Sequence, residues 1–421
     1  MPDVTRRIPR LSRWLAALVG ASTVFALALP AAAAPAPLEV GTWGASPVAG
    51  ANLTGCPAGD GGVVNQTVRN VVFTSVAGSE VRVRLTNAFG TAPLTIGAAS
   101  IAIDNTTAAG VLPDTIRTLH FGGRASVTIP PGAEALSDWV DLDVPQLQDI
   151  AVSVYVPSLT GAATFHRVAS QNNFLSGPGD FTTSASAADF PTVITCWMFV
   201  DGIDVAAAPT IKGSVVTLGD SITDGTRSTP NANHRWPNFL ARRLLANGGR
   251  SLSVVDEGIS GNRVLSDAGT AGVSALARLN RDVLSQPNAR DAILLEGIND
   301  IGQSDLGNTP LVTADDLIAA YKQIIERAHA AGLRIFGATL TPFKGAFYWS
   351  PQGELTREAV NDWILHSGAF DGTIDFAAAT ADPNDPQVFN PIYDSGDHLH
   401  PNDLGYEVMA DTVNLHMLLQ R

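Results

Sequence analysis

Apolar and polar residues alternate with a period of two through much of the first half of the chain. Val81-Arg82-Val83-Arg84-Leu85 is the clearest run, and similar short runs lie at 71–73, 94–96, 126–129, 139–144 and 150–156. Such alternation puts every second side chain on one face of a strand. Gly, Pro, Asn and Asp separate the runs at short spacing, and no long helical period intervenes. The pattern predicts an all-β sandwich or jelly roll over residues 38–205. Ala206-Ala207-Ala208-Pro209 reads as a linker over 206–210. Beyond it the period changes. Short apolar runs at 215–218, 252–255, 292–295, 334–338 and around Ile374 predict strands. Between and after them, 237–245, 273–284, 314–331, 355–366 and 402–419 carry helical patterns. Strands alternating with helices predict a parallel sheet covered on both faces over residues 211–421.

The composition agrees with two domains. The chain has 421 residues, 45% of them hydrophobic, which is enough apolar material for two cores. The net charge of −14 repels phosphate backbones and anionic membranes, so nucleic acid is not an expected partner. The N-terminus reads as an export signal. Arg6, Arg7, Arg10 and Arg13 form a basic segment, 14–29 is uncharged and largely apolar, and the Ala run at 31–34 offers an A-x-A cleavage site after Ala33. The apolar stretch is short for a membrane span of about 20 residues. Residues 1–33 are therefore expected to be removed, leaving a secreted chain with no integral membrane segment. Thr5-Arg6-Arg7 fits a twin-arginine signal less well, because Pro9 and Arg10 depart from it. Cys56 and Cys196 are the only cysteines, and an even count in an exported chain reads as one disulfide. Closing so long a loop is worth about 5 kcal/mol in the chain-entropy picture. No thiolate zinc site can be built from them.

Four segments of the second half carry chemistry. Gly219-Asp220-Ser221-Ile222-Thr223-Asp224-Gly225 follows the strand at 215–218, so Ser221 sits beyond a strand's C-terminal end, where α/β sheets bind ligands. Asp397-His398-Leu399-His400-Pro401 precedes the last helix. A serine nucleophile needs a base within hydrogen-bond reach, and the base needs a carboxylate to fix its tautomer. Asp397 and His400, three residues apart, can meet across one turn. His398 is the rival base, but its adjacency to Asp397 points it elsewhere. Glu257-Gly258-Ile259-Ser260-Gly261-Asn262-Arg263 and Glu296-Gly297-Ile298-Asn299-Asp300 follow the second and third strands. A glycine N–H and an asparagine amide there are suitable donors to a developing oxyanion. Each segment alone is equally a strand-to-helix turn. Together, in this order and at the ends of one sheet, they form a set.

That set resembles the SGNH, or GDSL-type, hydrolase family over about residues 211–421. The resemblance implies a flavodoxin-like three-layer α/β/α fold and hydrolysis of acyl esters through an acyl-enzyme. It implies Ser221 as nucleophile, His400 as base and Asp397 as its partner. The Ser221 N–H, the Gly261 N–H and the Asn299 side-chain amide would form the oxyanion hole, and no metal or organic cofactor is called for. The leading β domain is similar, more loosely, to domains on secreted members resembling xylan acetylesterases.

The expected activity is hydrolysis of short acyl, especially acetyl, esters of carbohydrates. A lipase, lysophospholipase or acyltransferase would share the chemistry with another pocket, and a carbohydrate-binding protein with an inactive hydrolase domain is the reading of a different class. The expected partner is a small-molecule or polysaccharide ester. Around the four segments, Arg263, Asp300 and Asp224 read as residues that touch substrate or, in preference, hold loops by hydrogen bonds, and Glu296 as an orienting one. Thr341-Pro342-Phe343 reads as pocket lining and Trp236 as core. Tyr348 and Trp349 read equally as a sugar platform or as packing, and His166 and His234 as structural or surface residues.

Overall fold

Alternation in the first half becomes two antiparallel sheets in the computed structural model, which describes residues 2–3, 37–105 and 108–420. The expected signal at 1–33 falls almost wholly outside the described residues. One sheet pairs Leu38–Gly44, Val200–Ala207, Gly78–Thr86 and Glu134–Leu136 in that order, with Val140–Val144 also paired to Gly78–Thr86. The other runs Thr192–Ile194, Asn173–Pro178, Gln66–Phe73, Asp149–Val156, Ala98–Ile103, Arg117–Thr118. Val81, Val83 and Leu85 are fully buried, while Arg82 on the opposite face pairs with Glu39 and Asp204. Apolar residues of both sheets, among them Val68, Val83, Ile101, Val152 and Ile203, join one core cluster. Trp43 and Trp197 meet edge-on within it at 5.0 Å, and the Trp197 indole N–H is satisfied by Val71 O at 2.7 Å. Cys56 and Cys196 are disulfide-bonded across 140 residues of chain.

The linker expected over 206–210 is shorter. Ala206 and Ala207 are buried in the strand Val200–Ala207, leaving only 208–210 as a turn. Small apolar residues flanked by extended chain continue a strand, and the first residue to interrupt it is Pro209.

From that turn the chain enters Ile211–Gly219, the first of five parallel strands. Their spatial order is Ser251–Gly258, Ile211–Gly219, Ala289–Leu295, Arg334–Ala338, Gly372–Ile374. The first strand in sequence is thus second in space, with the second and third strands on its two sides. In such an order the connections leaving the first and third strands run to opposite sides, which opens a crevice between the ends of these two neighbours. Helices flank the sheet as the outer layers. Trp236–Ala246 packs with Asp403–Thr412, and Ala314–Ala330 with Pro351–His366. The second core cluster lies among these elements, with Val215, Val216, Ile293, Phe336, Trp236 and Tyr406 inside it.

Two expected helices differ. The pattern at 273–284 forms a helix only at Ala275–Leu279 and continues as a widened π turn, Asn280–Leu284, where the Ser285 N–H reaches Asn280 O. That turn brings Asp282 inward onto Arg278, at 3.1 Å. The closing helix at 402–419 breaks into Asp403–Thr412 and Leu415–Leu419, because the Asn414 side chain caps the second piece by accepting from the His416 N–H.

Residues 37–421 make one compact unit. The β region touches the parallel sheet directly: the Val254 N–H donates to Ser75 Oγ at 3.1 Å, and Ser46 Oγ lies 2.6 Å from Glu257 Oε2 and 2.7 Å from Asp282 Oδ2. No helix among the described residues is long and apolar enough to cross a membrane.

Candidate active site

Ser221 opens a four-residue helix, Ser221–Asp224, immediately after the first parallel strand. Asp220 caps it, its Oδ1 accepting the Ile222 N–H at 2.9 Å. As the first residue of a helix, Ser221 has no intrahelical partner for its own N–H, which is left free for a ligand. Gly258, at the end of the neighbouring strand, lets this turn approach closely. A Cβ at 258 would lie 2.2 Å from the Asp224 nitrogen.

The last segment meets Ser221 from across the chain. His400 Nε2 is 2.8 Å from Ser221 Oγ, and His400 Nδ1 is 2.8 Å from Asp397 Oδ2. Asp397 Oδ1 accepts the backbone N–H of His400 at 2.8 Å and of Leu399 at 3.1 Å. Burial works against its charge, but the imidazole and these N–H groups together hold the carboxyl well below the usual carboxylate range. Arg227 Nε adds a further donor to Asp397 Oδ2 at 3.2 Å. His398, the rival base, is turned away at φ +60° and pairs with Asp394, 2.7 Å.

Gly261 and Asn299 come together through Asn262, the residue after Gly261. Gly261 has φ +83°, a left-handed conformation suited to glycine, and its N–H donates to no carbonyl among the described residues. The Asn299 amide is fixed at both ends. Its Nδ2 donates to Asn262 O at 3.0 Å, leaving one N–H, and its Oδ1 accepts the Tyr348 hydroxyl at 3.3 Å. Asn262 and Gly261 are consecutive, so both prospective donors hang from one loop.

Arg278, which sequence reasoning did not single out, braces that loop from below. Its guanidinium is fully buried and donates to Gly219 O at 2.9 Å, Asn262 Oδ1 at 2.9 Å, Glu257 O at 2.6 Å and Ser46 Oγ at 2.9 Å. Asp282 and Glu296 lie 3.1 and 3.5 Å from it. The available signal was the i,i+4 spacing of Arg278 and Asp282. Under the site, burial pushes Asp220 up to about 7 and Asp300 up to about 6, and burial beside Asp220 raises Glu296 well above the usual range.

The flanking residues sort themselves by their bonds. Asp300 holds the Val264 and Leu265 N–H groups at 2.8 and 2.9 Å, Arg263 reaches Asp267 O, and Asp224 holds Ser260, so all three fasten loops. Glu296 does not orient Asn299: its carboxylate turns to Arg278, and Tyr348 and Asn262 do the orienting. Trp236 and Phe343 are core residues, and Thr341 is buried. Tyr348 is buried and bonded, so it is no sugar platform; Trp349 is partly buried, with its indole 3.4 Å from Glu354. His234 pairs with Asp403 at 2.7 Å, and His166 is wholly enclosed. No cluster of three or more His, Cys, Asp or Glu side chains among the described residues is arranged to hold a metal.

Residues 217–408 match the model of the GDSL-like lipase/acylhydrolase family. The chain carries a GDSL-type hydrolase domain. It is thereby a carboxylic ester hydrolase. No curated protein matches the chain significantly. Among solved structures, similar chains include an acetyl xylan esterase, AlAXEase, at 21% identity and TM-score 0.38, covering 47% of this chain and 96% of that one. A variant of Axe2, an acetyl-xylooligosaccharide esterase from Geobacillus Stearmophilus, aligns at 20% identity and TM-score 0.38, covering 49% and 94%. A GDSL-like lipase from Bacteroides thetaiotaomicron VPI-5482 aligns at 20% identity and TM-score 0.36, covering 49% and 87%.

Proposed function

We propose that this chain is an exported serine esterase that removes short acyl groups from carbohydrate esters. The observation that carries the reading is the unbroken hydrogen-bonded series Asp397–His400–Ser221, 2.8 Å at each step. His400, its Nδ1–H held by Asp397, takes the Ser221 proton at Nε2 as Oγ bonds to the ester carbonyl carbon. The oxyanion then receives the N–H groups of Ser221 and Gly261 and the remaining Asn299 amide N–H. Collapse breaks the bond to the alcohol, which leaves with the proton from His400. Water then attacks the acyl carbon while giving a proton to His400; the bond to Ser221 Oγ breaks, His400 returns that proton to Oγ, and the carboxylic acid is released.

The short acyl group and the carbohydrate rest on the signal-like 1–33 segment and on the β region preceding the hydrolase domain, by analogy with exported carbohydrate-acting enzymes. In this reading the mature chain is an accessory β domain, 38–205, followed by a catalytic domain from 211.

Two measurements test the proposal. Ser221→Ala is expected to abolish p-nitrophenyl acetate turnover and covalent labelling by an organophosphonate; undiminished labelling removes Ser221 from the mechanism. Acetyl esters are expected to turn over faster than octanoyl and palmitoyl esters, and acetylated polysaccharides to release acetate. A marked preference for the long chains makes the enzyme a lipase.

A further inference from the structure

We infer that Arg167, a residue of the β region, positions and polarises the Gly261 N–H, with its neighbour His166 holding the same loop from the other side. The inference rests on the proposed role of Gly261 as an oxyanion donor.

The Gly261 N–H and the Ser260 C=O belong to one planar peptide and point in opposite directions. Whatever grips the Ser260 oxygen therefore aims the Gly261 N–H. Arg167 Nη2 donates to that oxygen at 3.0 Å, while its Nη1 reaches Thr270 Oγ1 at 3.4 Å. A cation on the carbonyl oxygen also draws electron density out of the amide nitrogen, which makes its N–H a stronger donor.

The rest of Ser260 is fixed as tightly. Its N–H and hydroxyl both donate to Asp224 Oδ2, at 2.8 and 2.5 Å, and the Thr226 hydroxyl lies 2.7 Å from its Oγ. Asp224 Oδ1 is in turn bonded to His166 Nε2 at 3.0 Å, and His166 Nδ1 faces Ser46 O at 2.9 Å. Both partners of this buried imidazole are acceptors, so both ring nitrogens donate and the ring is cationic. Asp224 closes the helix that Ser221 opens. Two consecutive residues outside the hydrolase domain thus fix the peptide carrying one oxyanion donor and the turn carrying the nucleophile.

Arg167 is only partly buried, so it can be replaced without emptying a core site. Removing an entire oxyanion donor costs about 10²–10³ in kcat; a donor left in place but unaimed costs less, about tenfold. Arg167→Ala is expected to lower kcat on p-nitrophenyl acetate by about that factor, with KM within about twofold of wild type and the melting temperature nearly unchanged. Phosphonylation of Ser221 slows in parallel, and Arg167→Lys regains part of the loss because the ammonium restores a cationic donor. The inference is overturned if Arg167→Ala keeps wild-type kcat, if the loss is confined to KM, or if the loss tracks a fall in melting temperature that Arg167→Lys does not relieve. Ser221→Ala measured alongside separates the two levels. If it still turns over ester, Ser221 is not the nucleophile and the serine-esterase reading fails; if it is dead while Arg167→Ala is unimpaired, only the role of Arg167 fails.

Discussion

At the scale of single residues, Asn299 shows how a donor is kept ready before any substrate arrives. Its two amide ends are chemically distinct: the Asn262 carbonyl can only accept, which sets Nδ2 on that side, and the Tyr348 hydroxyl then donates to Oδ1. Asn299→Ala removes the donor and is expected to lower kcat by about 10²–10³. Tyr348→Phe keeps the ring in its buried site and deletes only the hydroxyl. It is expected to lower kcat a few-fold at unchanged KM, as steady-state kinetics with p-nitrophenyl acetate will read; a kcat equal to wild type would leave Asn262 as the sole orienting partner. The residues placed around Ser221 were legible in the sequence because each belongs to a short local motif, at a strand end for Ser221, Gly261 and Asn299 and ahead of the last helix for Asp397 and His400. Arg278, His166 and Arg167 were not, since their meaning lies in partners far along the chain. Arg278 and Ser46, for example, are separated by 232 positions. The spacing of Arg278 and Asp282 shows that the two can pair, but not that Gly219, Asn262 and Ser46 will join them.

At the scale of elements, periodicity located most strands and helices and misjudged their ends. The strand Arg334–Ala338 has the expected bounds, whereas the closing helix breaks at Val413 and Asn414 because a capping side chain outcompetes continuation. Capping matters most at Asn402, which begins the helix directly after the His400-Pro401 pair. Its Oδ1 accepts the Gly405 N–H at 3.0 Å, and its Nδ2 donates to Ile392 O at 2.9 Å and Asp394 O at 3.2 Å. One side chain therefore fastens the helix start to the loop that leads into the base. Asn402→Ala is expected to cost about 1 kcal/mol for the lost cap. Thermal unfolding should register this as a few degrees, with a smaller fall in kcat; an unchanged melting temperature would mean that the helix needs no cap.

For the whole molecule, buried carboxyls set the response to pH. Burial pushes Asp220 and Asp256 up to about 7, and Asp149 and Asp300 up to about 6. These groups keep protons in the folded chain that the unfolded chain releases near pH 4, so their contribution is full below about pH 4 and is lost as pH rises towards 7. His166 acts in the same direction. Burial opposes its charge but Asp224 outweighs it and raises its pKa, so its contribution is lost as pH climbs through the folded value. Asp224, Asp282 and Asp397 behave oppositely. Each is held low against the cost of burial, by its imidazole or arginine partners, and each contributes above the usual carboxylate range and loses that contribution on acidification. Stability is therefore expected to peak in mildly acidic solution, around pH 5, with a melting temperature several degrees above that at pH 8. Asp256→Asn should flatten the decline between those values, because its Oδ1 bond to the Gly258 N–H at 3.0 Å survives the change. A curve that rises steadily towards pH 8 would contradict this balance.

Ser46 gives the joined halves a consequence for cutting the chain. A chain begun at residue 211 would retain Arg278, Glu257 and Asp282 but lose the hydroxyl lying among them, and it would also lose His166 and Arg167 beneath the Ser260 peptide. It would lay bare Ile259, which packs in the core of the β region. The severed hydrolase half would be an enzyme with its letters intact and its spine removed. A nick at the 208–210 turn is a different matter, because it breaks one peptide bond and none of these side-chain contacts. Two fragments made that way have reason to stay together, and a separately supplied β fragment has a surface to find.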